Sequence, residues 1–145
     1  MIMRFHHAAI STPDLARAVH FYTEVIGCQE AWSFSWESGS AEADAMTGLK
    51  DSAANAMMLK LGDSFLEIFE FSSPAPAPGN PERPVCDHGI THICLQVQDL
   101  RGEYERLLRA GMKFLSPPLT QESGYVIYGR DPDGNVVELI EFTKL

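Results

Sequence analysis

The second half of this chain repeats the first, and no other feature limits the fold as tightly. His7, Asp14 and Leu15 recur as His92, Asp99 and Leu100 at a constant spacing of 85 residues. Glu67-Ile68-Phe69-Glu70-Phe71 recurs as Glu138-Leu139-Ile140-Glu141-Phe142 at a spacing of 71. The second copy is therefore 14 residues shorter between helix and final strand, opposite residues 38–55, which read as a long loop or a short helix. A repeat of this length makes each copy one supersecondary unit.

Within each copy the order of signals is the same. Residues 5–11 and 90–97 are short, apolar and strand-like. Thr12-Pro13-Asp14 reads as a helix start, with Thr as cap, Pro at the first helical position and a carboxylate near the positive end of the dipole. Leu15, Ala18, Val19, Tyr22 and Ile26 follow at helical spacing until Gly27. Asp99-Leu100 starts the second helix, whose apolar face is Leu100, Tyr104, Leu107 and Leu108, and Gly111 ends it. Residues 31–37 and 55–61, then 113–116, 125–130 and 135–142, read as strands. Gly62-Asp63 and Asp131-Pro132-Asp133-Gly134 are turns. Five prolines in residues 72–89 mark an extended linker. The expected fold is α+β, with a βαβββ module at about 4–71 and another at about 90–142, making one domain over 1–145.

Composition narrows the class. At 145 residues and 45% apolar the chain suits one compact domain or two small units sharing a core. Twenty Asp and Glu against 11 Lys and Arg, net −9, argue against a nucleic-acid partner, which needs clustered cations. No run approaches the ~20 apolar residues of a membrane span, and the start lacks the pattern of a signal peptide. Cys28, Cys86 and Cys94 are odd in number and show no Cys-x-x-Cys spacing. They read as reduced thiols of a cytoplasmic protein.

Strand alternation then groups the polar residues. Ile93, Leu95 and Val97 form one apolar face, so His92, Cys94 and Gln96 point the other way; His7, Ala9 and Ser11 share a face by the same rule. Glu67 and Glu138 sit mid-strand among large apolar neighbours, where a carboxylate is normally paired, hydrogen-bonded or metal-bound. Taken singly, each of these residues fits an ordinary hydrogen bond or salt bridge. Two imidazoles and two carboxylates at repeat-equivalent positions suit instead a divalent first-row metal, if the halves are related by a pseudo-twofold axis. His6 and His88 are reserve ligands.

His7-Ala8-Ala9-Ile10, Asp14-Leu15, Phe21-Tyr22 and Ile26-Gly27 resemble the first module of the vicinal-oxygen-chelate superfamily of glyoxalases, bleomycin-resistance proteins and extradiol dioxygenases. Gly89-Ile90-Thr91-His92-Ile93, Asp99-Leu100, Gly111 and Asp131-Pro132-Asp133-Gly134-Asn135-Val136-Val137-Glu138-Leu139 resemble its second. The resemblance implies paired βαβββ modules in a cup-shaped, partly open mixed sheet with the helices outside. It also implies metal ligands at His7, Glu67, His92 and Glu138 and one divalent ion (Zn, Ni, Co, Mn or Fe) per site.

The His/Glu/His/Glu set is similar to that of glyoxalase I and methylmalonyl-CoA epimerase. Where glyoxalase I has an Arg and an Asn for glutathione, this chain has Ser11 and Phe71, which disfavours a glutathione substrate. The epimerase resemblance implies a catalytic acid before the first carboxylate ligand, for which Glu42, Asp44 and Asp51 are candidates. The implied chemistry is isomerisation, epimerisation or lysis through an enediolate or enolate, with Glu138 or Glu67 moving the proton. An extradiol-type dioxygenase acting on a catechol, and a non-catalytic drug-binding protein, are the alternatives. Trp32, Phe34 and Trp36 alternate along one strand and are candidate substrate contacts. Tyr125 and Tyr128 lie in opposite phase, so at most one faces the site; Tyr125 is the candidate contact. A small-molecule substrate and a homodimer complete the expectation.

Overall fold

The computed structural model describes residues 1–143, which form two compact units meeting between Pro78 and Gly79. In the first, β1 (His7–Ser11), α1 (Leu15–His20), β2 (Gln29–Trp36), α2 (Ala41–Thr47), β3 (Ala53–Leu61) and β4 (Ser64–Ser73) form a four-stranded sheet in the order β1-β4-β3-β2. In the second, β5 (Ile93–Gln96), α3 (Leu100–Arg109), β6 (Lys113–Phe114), β7 (Leu119–Gln121), β8 (Gly124–Arg130) and β9 (Val136–Phe142) form a sheet in the order β5-β9-β8-β6, with β7 also on β8. In both, the first strand runs parallel to the last and the other pairings are antiparallel. Each unit is thus the expected module on an open mixed sheet, and β7 is an addition that the sequence pattern did not show.

α1 lies against β3 and β4, and α3 against β9. Ala18, Tyr22, Leu59, Leu66 and Ile68 in the first unit, and Leu100, Leu107, Ile127, Val137 and Leu139 in the second, are buried. The first helix starts two residues later than expected. Thr12 donates its N–H to the Phe69 carbonyl and so extends the β1 ladder. Its hydroxyl accepts from Asp14 N, and Asp14 becomes the cap, accepting from Arg17 N at 2.9 Å. After α1 the chain widens into a π-helical turn, Phe21–Ile26, ended by Gly27 at φ 99°. In this turn Phe21 and Tyr22 are both buried, their rings edge to face at 5.1 Å.

The first strand of module 2 is shorter than residues 90–97. Arg83 Nη2 takes the Ile90 carbonyl at 2.6 Å, so that carbonyl serves the linker and not the sheet. The rest of the linker is irregular, as the prolines require, and its end is tied to the closing turn of its own module. Arg130 donates to the Gly134 carbonyl and to the Arg83 carbonyl. Gly134 has φ 87°, and a Cβ there would meet the Pro81 backbone. Asp131, 6% exposed, closes the turn by accepting from Asp133 N, Asn135 N and Asn135 Nδ2. The Asp-Pro-Asp-Gly-Asn motif is therefore a structural turn that sets where β9 begins, and with it the height of Glu138.

Candidate functional site

β4 sorts its residues to two faces. Leu66 and Ile68 lie buried toward α1, and Glu70 on the same side accepts the Leu15 N–H at 2.9 Å, satisfying a free donor of the helix start. Phe65, Glu67, Phe69 and Phe71 face away. β1 lies beside β4 with His7 opposite Phe65 and Ala9 opposite Glu67. His7 Nε2 stands 3.4 Å from Glu67 Oε2, with the Glu67 side chain 12% exposed. The Nδ1 atoms of His7 and His6 are 2.8 Å apart and hydrogen-bonded, and the His6 ring stacks on Phe65.

Module 2 repeats this layout. Val137 and Leu139 are buried toward α3, while Glu141 accepts from Asp99 N and Leu100 N. On the other face His92 Nε2 stands 3.0 Å from Glu138 Oε2, and His92 Nδ1 is hydrogen-bonded to the Thr91 hydroxyl at 2.8 Å. Two neighbours distinguish this half from the first. Cys94 sits opposite Glu138 where module 1 has Ala9, and Tyr128 sits opposite Glu138 where module 1 has Met58. Cys94 is exposed, but partial desolvation, with its hydrogen bond to Glu138 and that group's charge, pushes its thiol up to about 12. Cys94 thus stays a thiol. Burial, with the charge of Glu138 next, also raises the Tyr128 phenol, whose ring lies 5.0 Å from that of His92.

Each pair suits part of a divalent metal site. Imidazole nitrogen and carboxylate oxygen are the donors such ions take. Because Nδ1 of each histidine is already engaged, Nε2 is the nitrogen left for an ion, the arrangement that orients ligating imidazoles. Each module brings one such pair, and among the described residues no three His, Cys, Asp or Glu side chains are gathered as a ready-made cluster.

Of the expected substrate contacts, Trp32, Phe34 and Trp36 lie on the Glu67 side of the first sheet, since β2 pairs Trp32 with Met58 and β3 pairs Met58 with Glu67. Tyr125 is placed on the helix side of its sheet, opposite Glu141 and with Arg101 5.3 Å from its ring centre. The tyrosine on the His92 face is Tyr128. Asp44, one of the three candidate acids before Glu67, lies in α2 and is occupied instead: it accepts from Asp51 N, Ser52 N and the Ser52 hydroxyl. These bonds, chiefly those from Ser52, hold its carboxyl below the usual range. Glu70 and Glu141 escaped the sequence reading, although the Glu-x-x-Glu spacing of both closing strands carries the signal.

Residues 4–139 match the model of the Glyoxalase/Bleomycin resistance protein/Dioxygenase superfamily, and the chain belongs to that superfamily. Among its relatives is a 2-epi-5-epi-valiolone epimerase of Actinomyces sp., 34% identical over 93% of this chain and 77% of that protein. Another is the ethylmalonyl-CoA/methylmalonyl-CoA epimerase of Cereibacter sphaeroides, 28% identical over 96% of this chain and 98% of that protein. A glyoxalase family protein from Bacillus cereus has the same fold, with a TM-score of 0.89 at 22% identity, covering 99% of this chain and 97% of that one. No helix among the described residues is long and apolar enough to cross a membrane.

Proposed function

We propose that this protein is a divalent-metal-dependent enzyme that removes a proton from the carbon next to a carbonyl of a small substrate, as an epimerase, isomerase or lyase. The observation that carries this reading is the repeat of one His–Glu pair in each module, with both Nε2 atoms directed at the carboxylate. His7, Glu67, His92 and Glu138 would together hold one ion, the two pairs coming from one chain or from two copies of it. A divalent ion there supplies positive charge against the negative charge that builds on substrate oxygens as the proton leaves.

Glu138 is the first candidate to move that proton, and Glu67 the second. Glu138 has both a thiol and a phenol beside it, whereas Glu67 has Ala9 and Met58. Cys94 and Tyr128 would orient the Glu138 carboxylate toward a substrate proton, and Glu67 has no such neighbours on its paired strands. Both relatives named above are epimerases, which favours epimerisation among the three outcomes. Ser11 and Phe71, standing where glyoxalase I binds glutathione, weigh against a glutathione adduct.

The test is deuterium wash-in from heavy water, followed by NMR, with 2-epi-5-epi-valiolone and ethylmalonyl-CoA as substrates. Wild-type protein is expected to exchange the proton next to the carbonyl of one of them. Glu138→Gln should retain its metal and its melting temperature while exchange falls by about 10²- to 10⁴-fold, the usual contribution of a general base. Undiminished exchange in Glu138→Gln would remove it from the mechanism.

A further inference from the structure

The Glu67 face of module 1 continues into a wall of rings that the proton-transfer chemistry does not use. Row by row across the sheet it reads Trp32, Met58 and Glu67; then Phe34, Ala56 and Phe69; then Trp36, Ala54 and Phe71. Ala54 and Ala56 are buried on β3, between the large rings of β2 and β4. Phe34 and Phe69 meet at 5.9 Å, and Trp36 and Phe71 also at 5.9 Å. Phe34 and Trp36 lie nearly parallel at 6.3 Å. Yet Trp32 remains 48% exposed and Phe34 37%. These three rows contain no Lys or Arg, so an anionic group finds no partner along them.

Trp36 is held by a relay that comes from the insertion absent from module 2. Its Nε1–H donates to the Ser52 hydroxyl oxygen at 3.0 Å. Ser52, fully buried, in turn donates its hydroxyl proton to Asp44 Oδ1 at 2.7 Å. Because Asp44 takes that proton, the Ser52 oxygen keeps only acceptor capacity toward the indole, and the direction of the relay is fixed. The one polar atom of Trp36 is thereby used up, and the ring presents only apolar surface.

We propose that the site selects a neutral carbonyl compound carrying a ring beside its vicinal oxygens, with the ring face on the Trp32–Phe34–Trp36 wall, and that Asp44, acting through Ser52, is the positioning residue for that wall. The proposal rests on the reading of Glu67 as part of the reaction centre, since it places the ring next to that carboxylate.

Trp32 and Trp36 are the only tryptophans in the chain, so emission excited on the red edge, beyond the absorption of its four tyrosines, reports on the wall. The probes are 2-hydroxycyclohexanone, hydroxyacetone, which has the same hydroxyketone head without the ring, and mandelate, a ring-bearing anion. Each is titrated into zinc-loaded and EDTA-treated protein by isothermal titration calorimetry, which reads every affinity, with tryptophan emission followed in parallel as the report on the wall. The ring compound should bind about tenfold more tightly than hydroxyacetone, the amount expected from covering one ring face with apolar surface, and more tightly than mandelate. Asp44→Asn and Trp36→Leu should each collapse that ratio toward one while leaving hydroxyacetone affinity unchanged. A purely structural Asp44 would move both affinities or neither. Emission changes with 2-hydroxycyclohexanone that persist after EDTA treatment would uphold the wall even if the metal reading failed. No saturable change with or without zinc, equal affinity for ring and open chain, tighter mandelate, or an unaltered ratio in Asp44→Asn would overturn it.

Discussion

Four glutamates on the two closing strands divide between two roles, and alternation along a strand decides which does which. Glu67 and Glu138 turn to the face away from the helices and meet His7 and His92. Glu70 and Glu141, three residues on, turn to the helix face and take the free N–H groups at the starts of α1 and α3. A carboxylate at a helix N-terminus both accepts hydrogen bonds and faces the positive end of the dipole. Glu141→Ala should therefore lower stability by about 1 to 2 kcal/mol in a urea melt, with the His92–Glu138 pair intact. Glu138→Gln is expected to leave the same melt nearly unchanged. Equal losses in both would show that the two glutamates are not specialised.

At the scale of elements, the sequence reading succeeded where a signal is local and failed where a distant partner decides. Asp99 caps α3, Gly27 ends the first helix and both βαβββ orders are as the periodicity implies, because caps, stops and apolar spacing act within a few residues. Thr12 was expected to cap, but it continues the β1 ladder to Phe69, 57 residues on, and Asp14 caps instead. Tyr125 and Tyr128 were known to be in opposite phase, yet only the register of β8 against β9 shows that Tyr128 is the one opposite Glu138. The His–Glu pairs were legible because the repeat doubles the signal; the Trp36–Ser52–Asp44 relay was not, because its members come from three separate segments and nothing repeats them.

That relay makes a prediction about α2 and the start of β3. The Asp44 carboxyl is held below its ordinary value by hydrogen bonds from Ser52, so its charged form is favoured in the folded state. The resulting stability is present above the unfolded value and is lost as pH falls through the lower folded value. The melting-temperature gap between wild type and Asp44→Asn should therefore be constant near neutrality and shrink below about pH 4. A gap that widened on acidification would contradict this assignment.

For the whole molecule, the two modules are separate compact units that each carry one His–Glu pair, and the net charge of −9 includes both candidate carboxylate ligands. A dication held by Glu67 and Glu138 would leave their surroundings near neutral, and that part of the acidity would then belong to the site. A superfamily fold by itself does not choose between metal enzyme and binding protein; the donor set must do so. Metal content measured by mass spectrometry, after equilibrium with Mn(II) and Co(II) and without an affinity tag, tests the central claim most directly. One divalent ion per chain is expected in the wild type, and His7→Ala and His92→Ala should each abolish binding, because one ion needs both pairs. No uptake, or half-loss from each substitution as for two independent sites, would contradict the account.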